Sequence, residues 1–170
     1  MPAPLHVVLV QPEIAGNTGN VIRLCANAGA VLHLVEPLGF TLDDARMRRA
    51  GLDYHEIAIL RVHSSWGACI DALGDGRRFA FTSRATRRYT EVAYAPGDAL
   101  VFGAESVGLS RPVLDGFDDE HQLAIPMRPS NRSLNLANCV ALTTYEAWRQ
   151  WGFPGAAAAV GNAPSEQLDR

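Results

Sequence analysis

The sequence predicts a single α/β domain, a mostly parallel sheet with helices on both faces. Two observations carry that expectation. Short β-branched runs alternate with stretches whose apolar residues fall at helical spacing. Glycine- and asparagine-rich segments follow some of those runs, where strand-to-helix loops belong. A chain of 170 residues can bury a core without disulfides or metal. No repeat or long linker divides it, so one domain is expected over 1–155 and a flexible tail over 156–170.

Leu5–Val10 reads as the first strand, followed by the loop Pro12–Asn20. From Thr18 to Ala28, Val21, Leu24, Cys25 and Ala28 share a helical face, with Asn17 or Thr18 as the cap and Gly29 as the stop. Val31–Val35 is a second strand, closed by Glu36, Pro37 and Gly39. Asp43 and Asp44 suit a helix N-terminus, with Arg46, Arg48 and Arg49 after them. Ile57–Val62 reads as a strand and Ser64–Leu73 as a helix ended by Gly74-Asp75-Gly76. Phe79–Thr82, Leu100–Gly103 and Gln122–Pro126 are short strands of the buried type. Ser133 to Trp151 is the longest helical pattern, with Ser133 as its cap and Leu136, Val140, Thr143 and Ala147 along one face.

Composition excludes several classes. With 48% hydrophobic and 19% charged residues, the chain is not of the disordered type. No apolar stretch approaches a membrane span, and Val7–Val10 is too short for a signal sequence, so a cytoplasmic protein is expected. Cys25, Cys69 and Cys139 are isolated, which suits a reducing compartment. The five histidines include no i,i+4 pair on a helix, and no metal site is expected. A net charge of −3 argues against nucleic-acid binding. Against that, every basic residue is arginine, and several cluster: Arg46, Arg48 and Arg49; Arg77, Arg78, Arg84, Arg87 and Arg88; Arg128 and Arg132. A local patch of guanidinium groups can hold phosphates on an acidic protein.

Ligands of a parallel sheet bind beyond the carboxyl ends of its strands. That rule selects three loops: Gln11–Asn20, Gly103–Leu109 and Pro126–Ser133. In the first, helix N–H groups could seat a phosphate near Arg23, or the arginine could form an ordinary surface pair. In the second, Gly103 and Gly108 would let backbone approach a flat ligand while Glu105 offers acceptors, though a plain tight loop fits equally. In the third, Asn135 and Asn138 are poor helix formers within the first turns, which suggests bonds to a neighbouring loop or ligand, with ordinary capping as the alternative. The dinucleotide, Walker and nucleophile-elbow patterns are absent; around Ser106 the glycines are one residue out of register.

Together these loops resemble the three motifs of the SPOUT methyltransferases, most closely the TrmL subfamily, which methylates the ribose of the tRNA wobble nucleotide. The likeness runs through Pro12-Glu13-Ile14, Asn17-Thr18-Gly19-Asn20, Arg23-Leu24-Cys25-Ala26-Asn27, Leu32-His33-Leu34 and Glu36-Pro37-Leu38-Gly39-Phe40. It continues through Arg48–His55, Phe102-Gly103, Glu105, Gly108-Leu109, Ile125-Pro126-Met127, Ser133-Leu134-Asn135-Leu136 and Tyr145–Gln150. It spans about residues 5 to 155.

The resemblance implies a C-terminal trefoil knot, a homodimer with sites completed across its interface, and S-adenosylmethionine as cofactor without metal. It implies cofactor contacts from Phe81, Thr82, Gly103, Glu105, Gly108, Ile125, Met127, Ser133 and Leu134. Asn17, Arg23 and Tyr145 would be catalytic, and Arg48, Arg84, Arg88 and Asn135 would bind substrate. The implied substrate is the anticodon stem-loop of tRNA, in leucine tRNAs, methylated at the 2′-hydroxyl of cytidine or a modified uridine at position 34. A guanidinium holds its charge in proteins, so Arg23 suits stabilisation of a developing alkoxide better than proton abstraction. Another tRNA position, ribosomal RNA, or a knot that binds RNA without chemistry are the alternatives.

Overall fold

The computed structural model of the protein describes residues 3–43 and 59–157. Arg46, Arg48, Arg49 and the expected helix after Asp43 lie outside the described residues, as does most of the expected tail. In chain order the elements are β1 (His6–Val10), α1 (Ala15–Ala28), β2 (Val31–Val35), β3 (Leu60–His63), α2 (Trp66–Leu73), β4 (Arg78–Phe81) and β5 (Arg87–Arg88). There follow β6 (Ala99–Phe102), the single turn α3 (Arg111–Leu114), β7 (Gln122–Ala124) and α4 (Leu136–Gln150).

Among the described residues the seven strands form one sheet in the order β3-β2-β1-β6-β4-β7-β5. Every pairing is parallel. The expected class therefore holds, and the alternation of side chains shows why. Val7 and Leu9 of β1 join Leu32, Leu34, Phe79, Phe81, Leu100 and Phe102 beneath α1 and α4. Val8 and Val10 join Val35, Ala80, Ala99 and Val101 on the other face, beneath Cys69 of α2 and Val113 of α3. Both faces are covered, so the central strands read as unbroken apolar runs instead of alternating ones.

α1 and α4 pack side by side on one face and run in the same direction. Asn135, at the start of α4, donates to Asn17 Oδ1 in the first turn of α1 at 3.0 Å. Ten residues further along both helices, Asn27 Nδ2 donates to the Tyr145 hydroxyl at 2.7 Å. At the far end Gln150 accepts from the Tyr94 N–H and donates to the Val92 carbonyl.

Two helix starts differ from expectation. α1 begins at Ala15 with Ile14 as its cap residue, so neither Asn17 nor Thr18 caps it. Both are already within the helix and buried. The Ser133 cap is likewise displaced: α4 starts at Leu136, and the Asn135 side chain accepts from the Asn138 N–H. Asparagine outranks most residues at that position, and a three-residue shift leaves 125–135 as a long strand-end loop. β5 and α3 were not foreseen; each is too short to show a period. No described helix is long and apolar enough to cross a membrane.

Candidate active site

The central strands β1, β6, β4 and β7 end together. The pairings Val8–Val101, Ala80–Val101 and Phe81–Leu123 keep them in step. Their trailing loops therefore meet at one edge, where Phe81 stacks on Phe102 with ring centres 4.5 Å apart. Thr82 closes β4 there by donating its N–H to the Leu123 carbonyl at 3.0 Å. Gly103 follows β6 and Ile125 follows β7, so the expected cofactor residues Phe81, Thr82, Gly103 and Ile125 come to the same edge.

Glu105 is the hub of this edge. Its carboxylate accepts the Glu13 N–H at 2.7 Å, the Ile14 N–H at 3.2 Å and the Asn17 Nδ2–H at 3.1 Å. The two backbone donors lie at the entrance of α1, where N–H groups lack helical acceptors and an anion is favoured. Glu13 returns the contact: its carboxylate accepts the N–H and hydroxyl of Ser106 at 2.8 and 2.7 Å. Those bonds hold the Glu13 carboxyl below the usual carboxylate range. With Asn135 on Asn17, one chain of bonds, Glu105–Asn17–Asn135, joins the first two loops selected from the sequence to the helix cap that follows the third. Ser106 is thereby a tie between loops, in keeping with its failing the nucleophile pattern.

Glycine is required where the second loop doubles back. A Cβ on Gly103 would lie 2.0 Å from the Gly108 carbonyl carbon and 2.1 Å from the Leu109 nitrogen. Gly108 itself holds a φ of 71°, and Ala104 bridges to it. Two residues without glycine's freedom also adopt left-handed backbone at this edge, Gln11 at the end of β1 (φ 54°) and Ser130 in the third loop (φ 80°). Such conformations cluster at functional loops. Met127 and Leu134, each 38% exposed, present apolar surface beside them.

The remaining candidates are divided. Arg23 is exposed on α1, six residues beyond Asn17. Asn27, one turn past Arg23, was absent from the sequence-derived site, yet it carries the bond to Tyr145. At 1.5 Å per residue, Tyr145 and Asn27 lie about 15 Å along the helix pair from the Asn17–Asn135 contact. Arg84 and Arg88 are exposed around β5, whereas Arg87 donates to the carbonyls of Glu120 and Glu91. Arg77 serves the fold, paired with the buried Asp98 carboxylate at 2.7 Å. Arg48 lies outside the described residues.

A family model described as the SpoU rRNA methylase family matches residues 4–145. The chain belongs to that family. A tRNA (cytidine(34)-2′-O)-methyltransferase of Burkholderia pseudomallei is 60% identical over 154 residues, covering 89% of this chain and 99% of that protein. A structure solved to explain 2-OH methylation of C/U34 on tRNA superposes with a TM-score of 0.80 at 46% identity, covering 89% and 93% of the two chains. The SpoU methyltransferase AviRb of Streptomyces viridochromogenes, solved with AdoMet, shares the fold at a TM-score of 0.75 and 23% identity, with 89% of this chain and 59% of that one covered. The SPOUT resemblance seen in the motifs and the observed fold thus agree.

Proposed function

We propose that the protein transfers a methyl group from S-adenosylmethionine to the ribose 2′-hydroxyl of the wobble nucleotide, position 34, of tRNA. The observation that carries this reading is the Glu105–Asn17–Asn135 chain, which ties the three motif loops into one edge in a chain 60% identical to a protein of that name. Cytidine or a modified uridine of leucine tRNAs in the cytoplasm is the proposed target.

The strand-end residues fit an amphipathic nucleoside cofactor. Exposed Met127 and Leu134 with half-buried Ile125 can sandwich a flat base, and the irregular backbone of 103–109 and 125–135 offers polar groups to its edges. Bound there, S-adenosylmethionine would supply a methyl group already electrophilic on its sulfonium. Thr82, Gly103, Glu105, Gly108, Ser133 and Leu134 would hold it, with Glu105 acting through the loop it braces.

What the chain must add is alignment of the 2′-oxygen and stabilisation of its developing charge. Arg23 supplies a cation for the alkoxide or an adjacent phosphate. Asn17 fixes the helix that carries Arg23, and Tyr145 orients the nucleotide, its hydroxyl held by Asn27. Arg84 and Arg88, with Arg48, would grip the anticodon stem.

The distance between Tyr145 and the loop edge supports completion of each site by a second copy, that is, a homodimer. Exposed Ile14, Leu142, Tyr145 and Phe153 supply apolar surface for such an interface. The strand order supports the knot. β7 lies between β4 and β5, the two strands that the link 82–86 joins, and the chain then runs on to α4, whose end is tied to Val92 and Tyr94.

Methyl incorporation into bulk tRNA tests the reading. Arg23→Ala should abolish transfer while cofactor affinity by calorimetry stays within about twofold, since it removes an interaction made at the reacting oxygen. Full transfer by that variant would remove Arg23 from the site. Unchanged nucleoside composition at position 34 in a deletion strain would remove the substrate assignment.

A further inference from the structure

Three histidines from three strands meet on the sheet face opposite α1 and α4. His6 Nδ1 and His33 Nε2 share a hydrogen bond of 3.0 Å, and His33 Nδ1 and His63 Nε2 share one of 2.8 Å. The rings of His33 and His63 stack with centres 5.1 Å apart and planes within 12°. Cys69 of α2 packs above them, fully buried. One nitrogen each of His33 and His63 and the Cys69 sulfur all lie within 4.8 Å of one another.

We propose that His33, His63 and Cys69 form a binding site for a borderline-soft divalent cation of the zinc class, which clips β2, β3 and α2 together. Two imidazoles and a thiol are the donor set such an ion selects. Tetrahedral bonds of about 2.0 Å to nitrogen and 2.3 Å to sulfur place ligand atoms about 3.3–3.5 Å apart. The present spacing brackets that value, so His63, half-exposed on the edge strand, and the Cys69 thiol need move only about an ångström.

His6 completes the arrangement from outside. With His33 Nε2–H donated to His6 Nδ1, His33 is fixed in the tautomer whose Nδ1 lone pair faces the site. Binding through His63 Nε2 leaves that ring's hydrogen on Nδ1, and the Cys69 thiol gives its proton to solvent as the metal–sulfur bond forms. One proton therefore leaves per cation bound. Arg61 pairs in register with His33. Burial pushes the Cys69 thiol up to about 11 and the nearby Arg78 opposes that rise only in part, so the thiolate forms as the cation binds. The positive charge of the two arginines is offset by that thiolate. The helix-pair rule applied to the sequence could not find this site, because its ligands come from two strands and a helix.

Cobalt(II) titration of chelator-treated full-length protein tests the site, with folding followed by circular dichroism. One equivalent should bind with tetrahedral visible bands and a thiolate-to-cobalt charge-transfer band. Cys69→Ser should lose the charge-transfer band, and Cys139→Ser should keep it. His63→Ala should abolish stoichiometric binding, and His6→Ala should weaken affinity about 10–100-fold. His121→Ala, outside the cluster, should change nothing. A folded wild type without the charge-transfer band, or a band surviving in Cys69→Ser, overturns the proposal. If Cys69→Ser does not fold, His63→Ala decides: undiminished binding overturns the site.

Discussion

Glu105 carries no nucleophile and abstracts no proton in the proposed reaction, yet three donors from the α1 entrance converge on it. Glu105→Gln would turn an amide N–H towards one of those donors, leaving it unsatisfied. A loss of about 1–2 kcal/mol in urea unfolding is expected, with methyl transfer falling by more than about tenfold as the loops separate. Unchanged activity would show that the tie is incidental. His33 behaves differently, because its environment opposes charge. Burial, then the neighbouring His6, His63 and Arg61, hold it at about 4 against an ordinary 6.5. His6 and His63 are shifted the same way by burial. The unfolded chain therefore takes up protons near pH 6.5 that the native state refuses until about pH 4. Stability should be complete above pH 6.5, fall as the pH drops through that window, and lose nothing further from His33 below about pH 4. Denaturation of chelator-treated protein across the window measures this, and His33→Gln should flatten the slope.

The loop after β6 is built on two glycines that need their freedom for different reasons. At Gly103 a Cβ would strike backbone of Gly108 and Leu109, which cannot turn aside as a side chain could. Gly108 has open space but a left-handed φ. Gly108→Ala should therefore cost about 1–2 kcal/mol, and Gly103→Ala should exceed 3 kcal/mol or prevent folding, as overpacking against fixed backbone does. Equal effects in thermal melts would contradict this account. The same loop shows what could be read in advance. Glycine spacing after a buried run identified Gly103 and Gly108, and apolar runs located β1, β2, β4 and β6 to within a residue or so. The start of α4 was misplaced because Ser133 is a good cap in isolation, whereas Asn135 both caps and reaches Asn17. Asn27 was missed because its partner lies 118 residues away. A two-residue strand such as β5 carries no periodic signal at all.

At the scale of the molecule, the parallel α1–α4 pair separates two halves of the proposed chemistry. One end bears Glu105, Asn17 and Asn135 among the cofactor loops; the other bears Tyr145 and Asn27, about 15 Å along the helices, with Arg23 between them. A single chain could close that gap only by bending a helix pair packed on the sheet. A two-fold partner closes it without deformation, because an isologous interface brings the same surface of each copy to the other. Mixing two inactive variants distinguishes these cases. Arg23→Ala keeps its cofactor loops, and Leu134→Glu keeps Arg23 but places a charge in the apolar part of the cofactor edge. If sites are shared, each mixed dimer has one intact site, built from the loops of the first variant and Arg23 of the second. Unfolding and refolding the two together in equal amounts makes half the dimers mixed, so about a quarter of wild-type transfer should return. If Arg23 serves the loops of its own chain, every site keeps one defect, and the mixture stays as inactive as its components.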